Sequence, residues 1–202
     1  LEEALSPLRS LDDEVIDDNL RRFAEGTREW AVERFDAWVR SGFEDHRVFV
    51  LTAGAGVGKT GIMCNLARAR ADVVVGYHFC RHDDPGRRGD PKRMLCSLAY
   101  QLAQALPAYG AELAKLKLTR AKLADDREFP TVTGLFAHLF EGPFGELARA
   151  GAAQDEEDHH QNHPRRVILI DALDECEHAG RNGILQCIGR NFHKLPRWLG
   201  VY

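Results

Sequence analysis

Basic residues are not in excess in this sequence. Its 202 residues include 27 lysines and arginines against 31 aspartates and glutamates, which gives a formal net charge of −4. The pI is near 6.2. Nucleic acids and anionic membranes both attract positive charge, and this composition has no net positive charge to offer them. We therefore expect neither a nucleic acid nor a membrane among the partners of the protein.

Cysteines and long apolar runs are also few. The five cysteines, odd in number and mostly within apolar stretches, are expected to be reduced core residues rather than a disulfide framework. No apolar run reaches the roughly 18 residues of a membrane span. The first residues lack the basic and apolar parts of a secretory leader. These absences predict a cytoplasmic protein, and the start at Leu1 rather than Met predicts a piece of a longer chain.

Apolar residues make up 44% of the chain and charged residues 29%, which is enough to bury one substantial core. Three strand-like apolar runs, at residues 47–52, 72–80 and 167–171, alternate with helical patterns. Runs that are almost wholly apolar are typical of parallel strands covered on both faces. We therefore predict an α/β fold with a mostly parallel central sheet and helices on both of its faces.

Helical periodicity fills the segments between these runs. Thr27 is predicted to cap a helix that ends near Gly42, and Asp90 to cap a helix that begins at Pro91. Residues 151–166 contain almost no apolar side chains and are predicted to form an exposed loop. The other helical patterns cover residues 61–70, 108–123, 132–150 and 180–194.

A glycine-rich segment links the first strand-like run to the next helix. Residues 53–60 read AGAGVGKT and fit the phosphate-binding pattern GxxxxGK[ST], except that Ala53 stands where the first glycine is expected. An alanine would strain the loop if that position needs a positive φ. Glycines at 54, 56 and 58 let successive backbone N–H groups converge on one anion at the start of a helix. The segment is therefore predicted to be a P-loop.

The two residues that end this segment have separate predicted roles. Lys59 would place its charge on the β and γ phosphates of a nucleotide, and the Thr60 hydroxyl would bind Mg²⁺. The alternative interpretation is a glycine-rich turn with a lysine that faces solvent. The residues predicted to hold the nucleotide are Ala53, Gly54, Ala55, Gly56, Val57, Gly58, Lys59 and Thr60.

An acidic cluster follows the third strand-like run. Asp171 ends the run VILID, and an acidic residue at the end of a strand beside a P-loop is where the second Mg²⁺ contact belongs. Asp174 and Glu175 follow within one turn, and one of them would orient or deprotonate an attacking water as the catalytic group. The alternative is that this pair only caps and begins the next helix.

The segments AGAGVGKT and ILIDALDE together resemble the NACHT domain, a branch of the STAND class of P-loop NTPases. In that family the loop usually reads GxAGxGK[ST]. The acidic strand end is followed by a small residue, here Ala172, and then by an acidic pair. The stretches GTREW (26–30), YHFCRHDD (77–84) and SLAYQLAQALP (97–107) are similar to segments of the same domains. The resemblance covers about residues 26–200.

The resemblance implies a P-loop NTPase fold and an ATP or GTP switch that controls the assembly or signalling of a larger protein. It implies ATP or ADP with Mg²⁺ as ligands, other domains of the same chain as partners, and nucleotide-dependent self-association. Adenine is favoured because the sequence contains no NKxD-like guanine-recognition motif. Residues 26–202 would form the core, truncated before its sensor and winged-helix parts. The amphipathic residues 1–25 would be a helical arm or linker from an upstream domain.

Two other functions fit the same motifs. A metabolic P-loop kinase or transferase shares the phosphate site, but an acidic pair that activates water is wasteful in such an enzyme. A non-hydrolysing scaffold would bind nucleotide as structural support or would not bind it. Fast hydrolysis also needs a cation over the γ phosphate, which contributes about 10³ to 10⁵ in kcat, and the sequence identifies no residue for it. We therefore predict nucleotide binding with very slow turnover.

Overall fold

The computed structural model describes residues 9–22, 26–43, 46–54, 56–81, 88–125, 127–152, 164–178 and 181–202. Within these residues, no helix combines the length and apolar character that a membrane crossing requires. The strands are β1 Val74–Phe79, β2 Arg166–Asp171, β3 Glu177–His178, β4 Arg181–Asn182 and β5 Leu199–Val201. The α-helices are α1 Arg9–Leu20, α2 Glu29–Arg40, α3 Lys59–Ala69, α4 Pro91–Ala105, α5 Pro107–Lys115, α6 Arg120–Ala124, α7 Val132–Phe136, α8 Gly142–Ala152 and α9 Gly183–Asn191.

The central sheet is parallel, as the apolar runs predict. Its strands lie in the order β1-β2-β5, and Phe79 of β1 lies opposite Asp171 of β2. The segment before the glycine-rich loop continues the sheet beyond β5. There the Phe49 amide donates to the Val201 carbonyl at 2.9 Å, and the Val201 amide donates to the Arg47 carbonyl at 2.8 Å. This pairing is parallel too, so the carboxyl ends of all these strands lie along one edge.

Helices cover both faces of the sheet, which confirms that part of the prediction. Alternate side chains of β2 enter two different cores because successive side chains of a strand point to opposite faces. Val167 and Leu169 pack with residues of α1, α2 and α3. Ile168 packs with residues of α4, α5, α7, α8 and α9. Both faces of β2 are therefore covered, as expected for a strand in the middle of a parallel sheet.

The first strand-like run is not the buried strand that its composition predicts. Val48 and Val50 are 52% and 72% exposed, whereas Phe49 stacks on Tyr202 with ring centroids 4.9 Å apart. Only one residue of the run forms a β-bridge, and its partner is Val201. The run therefore lies at an edge of the described sheet, and only one of its faces is packed.

Several predicted helix boundaries are corrected by the structure. The residue that precedes α2 as its N-cap is Arg28 rather than Thr27. The pattern over residues 108–123 is interrupted, because α5 ends at Lys115 and α6 begins at Arg120. The predicted helix at 180–194 begins only at Gly183, after the hairpin that β3 and β4 form.

Two further predictions about local structure have different outcomes. Asp90 does cap α4, since its carboxylate accepts a hydrogen bond from the Lys92 amide at 2.8 Å. Of the predicted loop at 151–166, residues 153–163 lie outside the described part of the chain. The residues on either side of that gap belong to or border α8 and β2.

The first helix packs directly on the core. Ile16 of α1 is buried with residues of α2 and α3, and Asp17 pairs with Arg68 of α3 at 2.6 Å. Asp12 is fully buried, and its carboxylate accepts a hydrogen bond from the Phe79 amide at 3.4 Å. This part of the N-terminal segment is therefore a helix rather than a strand of the sheet. Its connection to an upstream domain stays a prediction.

Gly200 of β5 leaves room for two aromatic rings of the core. A Cβ atom at this position would lie 2.8 Å from Trp38 and 2.9 Å from Phe43. We predict that Gly200→Ala lowers the free energy of unfolding by about 1 to 3 kcal/mol, the usual cost of overpacking. Gly189 of α9 is the matched control, because nothing lies within 4 Å of its Cβ position. Since alanine favours helices, Gly189→Ala should raise that free energy by up to about 1 kcal/mol. Denaturant unfolding measures both changes, and equal effects would count against the contact.

Candidate functional site

The glycine-rich loop and the acidic end of β2 meet at the carboxyl edge of the sheet. Asp171 is the last residue of β2, and Thr60 lies in the first turn of α3. The Thr60 hydroxyl lies close enough to the Asp171 carboxylate to lower its pKa as a hydrogen-bond donor. The two residues that the sequence assigns to Mg²⁺ therefore lie close together, although they belong to different elements. In open α/β sheets this edge is where ligands generally bind.

The Asp171 carboxylate lies in a mostly buried environment. Asp171 is only 7% exposed, and this burial raises its pKa above the usual value of an aspartate. Hydrogen bonds from Thr60 and from the Ala172 amide lower this pKa, as does the charge of Lys59. The charge of Glu175 raises it. These contributions show that Lys59, Thr60 and Glu175 all lie close to Asp171.

The backbone of the loop adopts the conformations that need glycine at two positions. Gly56 and Gly58 have φ of 77° and 88°, in the left-handed region that side chains disfavour. Ala53 and Gly54 do not have a positive φ. The alanine that departs from the usual pattern therefore causes no strain of that kind. Ala55 lies outside the described residues.

Lys59 is held at the beginning of the loop. Its Nζ donates to the Ala53 carbonyl at 2.8 Å and to the Gly54 carbonyl at 3.1 Å. An ammonium group has three donors and no acceptor, so a phosphate oxygen is a natural further partner. The lysine does not simply face solvent, because it is partly buried and folds back over the loop. This geometry differs from that of a lysine that only faces solvent, and the contact of Lys59 with nucleotide phosphates stays a prediction.

The acidic pair lies in a short turn rather than at the start of an α-helix. Asp174 and Glu175 belong to a 3₁₀-helix, Leu173–Cys176, which the hairpin follows. The next α-helix, α9, has Asn182 as its N-cap. The pair therefore does not begin α9, but it does lie in the first turn of the 3₁₀-helix, so its catalytic role stays a prediction. Both side chains are exposed, and the charge that acts on Asp171 is that of Glu175.

The backbone directly after Asp171 has an unfavourable conformation at the point where the acidic turn begins. Ala172 has φ of 53°, a left-handed value that is unusual for a residue with a side chain. The Glu175 amide donates to the Ala172 carbonyl at 2.9 Å, which closes the turn. Such outliers are often found at functional sites, where the surrounding structure maintains the strain. Here the strained residue lies directly beside Asp171.

Thr60 and Asp171 have the chemistry that Mg²⁺ requires. This ion prefers oxygen ligands and is usually held by one or two protein oxygens together with water and nucleotide phosphates. Among the described residues, no group of three or more His, Cys, Asp or Glu side chains is arranged to hold a metal alone. A magnesium ion at this site would therefore depend on phosphate oxygens for most of its ligands.

A buried thiol also lies near the site but is not suited to catalysis. Cys64 of α3 is fully buried. Burial, together with the nearby charge of Asp171, raises the pKa of its thiol to about 12. Because the thiolate is the reactive form, Cys64 is protonated at neutral pH and behaves as a core residue.

Arg28 contacts the loop and was not identified from the sequence as a site residue. Its Nη2 and Nε donate to the Val57 carbonyl at 3.3 and 3.4 Å. Arg28 belongs to the GTREW stretch, which contributes to the NACHT resemblance. The sequence gives no local signal for this contact, because Arg28 and Val57 are 29 residues apart.

The family model of Nephrocystin 3, N-terminal, matches residues 26–201 of the chain. The chain belongs to this family. The match covers the loop, the acidic end of β2 and Arg28, whereas α1 precedes it. No curated protein and no solved structure matches the chain. These comparisons do not test the NACHT resemblance, so the function that it implies for this member of the Nephrocystin 3 N-terminal family stays a prediction.

Asp171 is expected to lower the stability of the nucleotide-free protein at neutral pH. Burial raises its pKa, so the folded state binds a proton more readily than the unfolded state. The stability that this proton contributes is lost as the pH rises through the raised pKa, so the buried charge costs stability on the alkaline side of that pKa. We predict that Asp171→Asn has a higher Tm than the wild type at pH 7.

The same reasoning gives the pH dependence of this effect. The difference in Tm between Asp171→Asn and the wild type should become smaller as the pH falls towards about 4, the usual pKa of an aspartate. Asp174→Asn is the matched control, because that carboxylate is exposed and its replacement should leave the Tm unchanged. Thermal melts across this pH range test the prediction. A lower Tm for Asp171→Asn at pH 7 would mean that its hydrogen bonds outweigh the cost of burial.

Proposed function

We propose that this protein binds a magnesium nucleotide, ATP or ADP, between residues 53–60 and the acidic end of β2. The observation that carries the proposal is the proximity of Thr60 and Lys59 to the Asp171 carboxylate, since both lower its pKa. In this proposal the fold is that of a P-loop NTPase of the NACHT type. Its phosphate-binding loop lies at the carboxyl edge of a parallel sheet, where the positive end of α3 favours an anion.

The residues of the site have separate roles in holding and hydrolysing the nucleotide. Lys59 neutralises charge on the β and γ phosphates, and Thr60 and Asp171 hold Mg²⁺. When bound there, Mg²⁺ would supply positive charge to the phosphate oxygens and so favour loss of the γ phosphate. Glu175 is exposed and close to Asp171, so it is the better candidate of the acidic pair to orient water and accept its proton. Asp174 is the second candidate.

The proposed biological role is a switch within a longer cytoplasmic protein. Slow hydrolysis suits a module that stays in one nucleotide state until another component resets it. Other domains of the same chain, and further copies of it in a nucleotide-dependent assembly, are the proposed partners. These parts of the proposal rest on the NACHT resemblance of residues 53–60 and 168–175 rather than on contacts within the described residues.

A titration with and without Mg²⁺ tests the proposed site. Isothermal titration calorimetry would compare ATP binding to the wild type in magnesium and in EDTA. We expect tighter binding in magnesium, because Thr60 and Asp171 then act on the nucleotide through the ion. In Thr60→Val and Asp171→Asn the two affinities should become equal. The matched control is Thr133→Val, since Thr133 is exposed on α7. If the wild type binds ATP equally well in EDTA, the magnesium assignment is wrong.

A further inference from the structure

We propose that Arg28 is a positioning residue that fixes the shape of the phosphate-binding loop. The inference rests on the proposed nucleotide site. Arg28 immediately precedes α2, far from the loop in sequence. It is not assigned a contact with the nucleotide, and its role is to hold one peptide unit of the loop in the orientation that binding needs.

The guanidinium of Arg28 is directed at the Val57 carbonyl of the loop. Nη2 and Nε both donate to the Val57 carbonyl, at 3.3 and 3.4 Å. A third donor, Nη1, lies 3.2 Å from the Thr27 hydroxyl, which orients the guanidinium. Because both donors belong to one rigid guanidinium, the Val57 carbonyl oxygen faces that group.

The direction of this carbonyl sets the direction of an amide that the site needs. A trans peptide unit is planar, so its C=O and N–H bonds point in opposite directions. Arg28 holds the Val57 carbonyl on its own side of the loop. The Gly58 N–H, which belongs to the same peptide unit, must then point away from Arg28. Gly58 is the N-cap of α3, so this amide belongs to the set of N–H groups that a phosphate would meet.

Close packing between Arg28 and Gly58 supports the same inference. A Cβ atom on Gly58 would lie 2.6 Å from Nη2 and 2.9 Å from Cζ of Arg28. The guanidinium therefore occupies the space that any side chain at residue 58 would need. With φ of 88° at the same residue, the backbone conformation favours glycine, and a side chain there would displace the guanidinium.

The backbone of Arg28 is itself in an unfavourable conformation. Its φ is 63°, in the left-handed region that residues with a Cβ atom rarely adopt. An ordinary N-cap has an extended conformation and often a side chain that accepts from the helix, and Arg28 has neither of these. The strain is explained if this backbone conformation is what directs the guanidinium to the loop.

The proposal predicts a loss of affinity that does not depend on the base or the sugar. Arg28→Ala should weaken binding of ATP and of inorganic tripolyphosphate by the same factor, about tenfold, which corresponds to one hydrogen bond made by a charged group. Arg28→Lys should restore little, because an ammonium group cannot place two fixed donors on one carbonyl. Arg34→Ala is the matched control, since Arg34 lies on α2 shortly after Arg28 and its guanidinium lies over the Trp30 ring, 5.9 Å from the centroid. Calorimetry with both ligands measures the effect.

Hydrogen exchange of the nucleotide-free protein gives a second, independent readout. We expect faster exchange of the amides at 57–60 in Arg28→Ala and unchanged exchange in Arg34→Ala. A loss of affinity for ATP alone, with tripolyphosphate unaffected, would overturn the proposal in favour of a contact with the base or the sugar. Full recovery in Arg28→Lys, or unchanged exchange in Arg28→Ala, would also overturn it. If the wild type binds neither ligand, the proposed function fails, whereas the exchange result still decides the role of Arg28.

Discussion

Replacement of Lys59 by alanine is expected to lower the affinity for Mg–ATP by about ten- to a hundredfold. A hydrogen bond made by a charged group contributes about 1.5 to 3 kcal/mol, and Lys59 brings the only positive charge that the loop itself carries. The substitution also removes the donor that holds the Ala53 and Gly54 carbonyls. Isothermal titration calorimetry of wild type and Lys59→Ala in magnesium measures the change.

Lys115→Ala provides a matched control for the loss of one lysine charge. Lys115 is exposed on α5 and pairs with Glu112 at 2.6 Å, so its removal should not change nucleotide affinity. A thermal melt of each variant shows whether the fold is retained. Matching affinities for wild type and Lys59→Ala would disprove the assignment of the phosphate site.

The second large effect concerns hydrolysis, for which Glu175→Gln should be the most damaging change in the acidic turn. A positioned general base typically contributes about 10²- to 10⁴-fold in rate, and the structure places the charge of Glu175 close enough to act on Asp171. Asp174→Asn is the matched neighbour, since it changes an exposed carboxylate of the same turn. A single-turnover assay with Mg–ATP should show a slow wild-type rate, a much lower rate in Glu175→Gln and a nearly unchanged rate in Asp174→Asn.

The absolute rate separates the switch from the other proposed functions. If the wild type turns over at the roughly 10 per second typical of enzymes, the switch role is wrong. Phosphate transfer to members of a panel of small hydroxyl compounds would favour a kinase or transferase. If neither substitution changes a slow rate, neither acidic residue orients the water, and a non-hydrolysing scaffold becomes the better explanation.

Local sequence was enough to find most of the elements that carry the site. Residues 74–79 and 166–171 are strands and residues 59–69 a helix, because nearly continuous apolar runs and helical periodicity reflect burial that these elements do experience. The cap at Asp90 was found for a similar reason, since its hydrogen bond is made within two residues. Interactions between residues that are close in sequence can be predicted from the local pattern alone.

The errors occur where distant parts of the chain decide the outcome. Val48 and Val50 are exposed although their run is as apolar as a buried strand, because exposure depends on which elements pack beside it. The hairpin of β3 and β4 has only two residues in each strand, too few for a periodic signal. For the same reason, the helix predicted at 180–194 wrongly included β4, the second strand of this hairpin.

The sequence alone determined which chemical groups the site has. The segment AGAGVGKT and the acidic end of VILID supply backbone donors, a lysine and carboxylates. Gly56 and Gly58 adopt a positive φ, which explains why glycine occurs at these positions. The tertiary structure decided which of these groups meet. Parallel strands bring their carboxyl ends to one edge, so Thr60 lies close to Asp171 although the two are far apart in sequence. The same packing brings Arg28 onto the Val57 carbonyl, and no spacing within the sequence encodes that contact, because it depends on how α2 and α3 dock on the sheet.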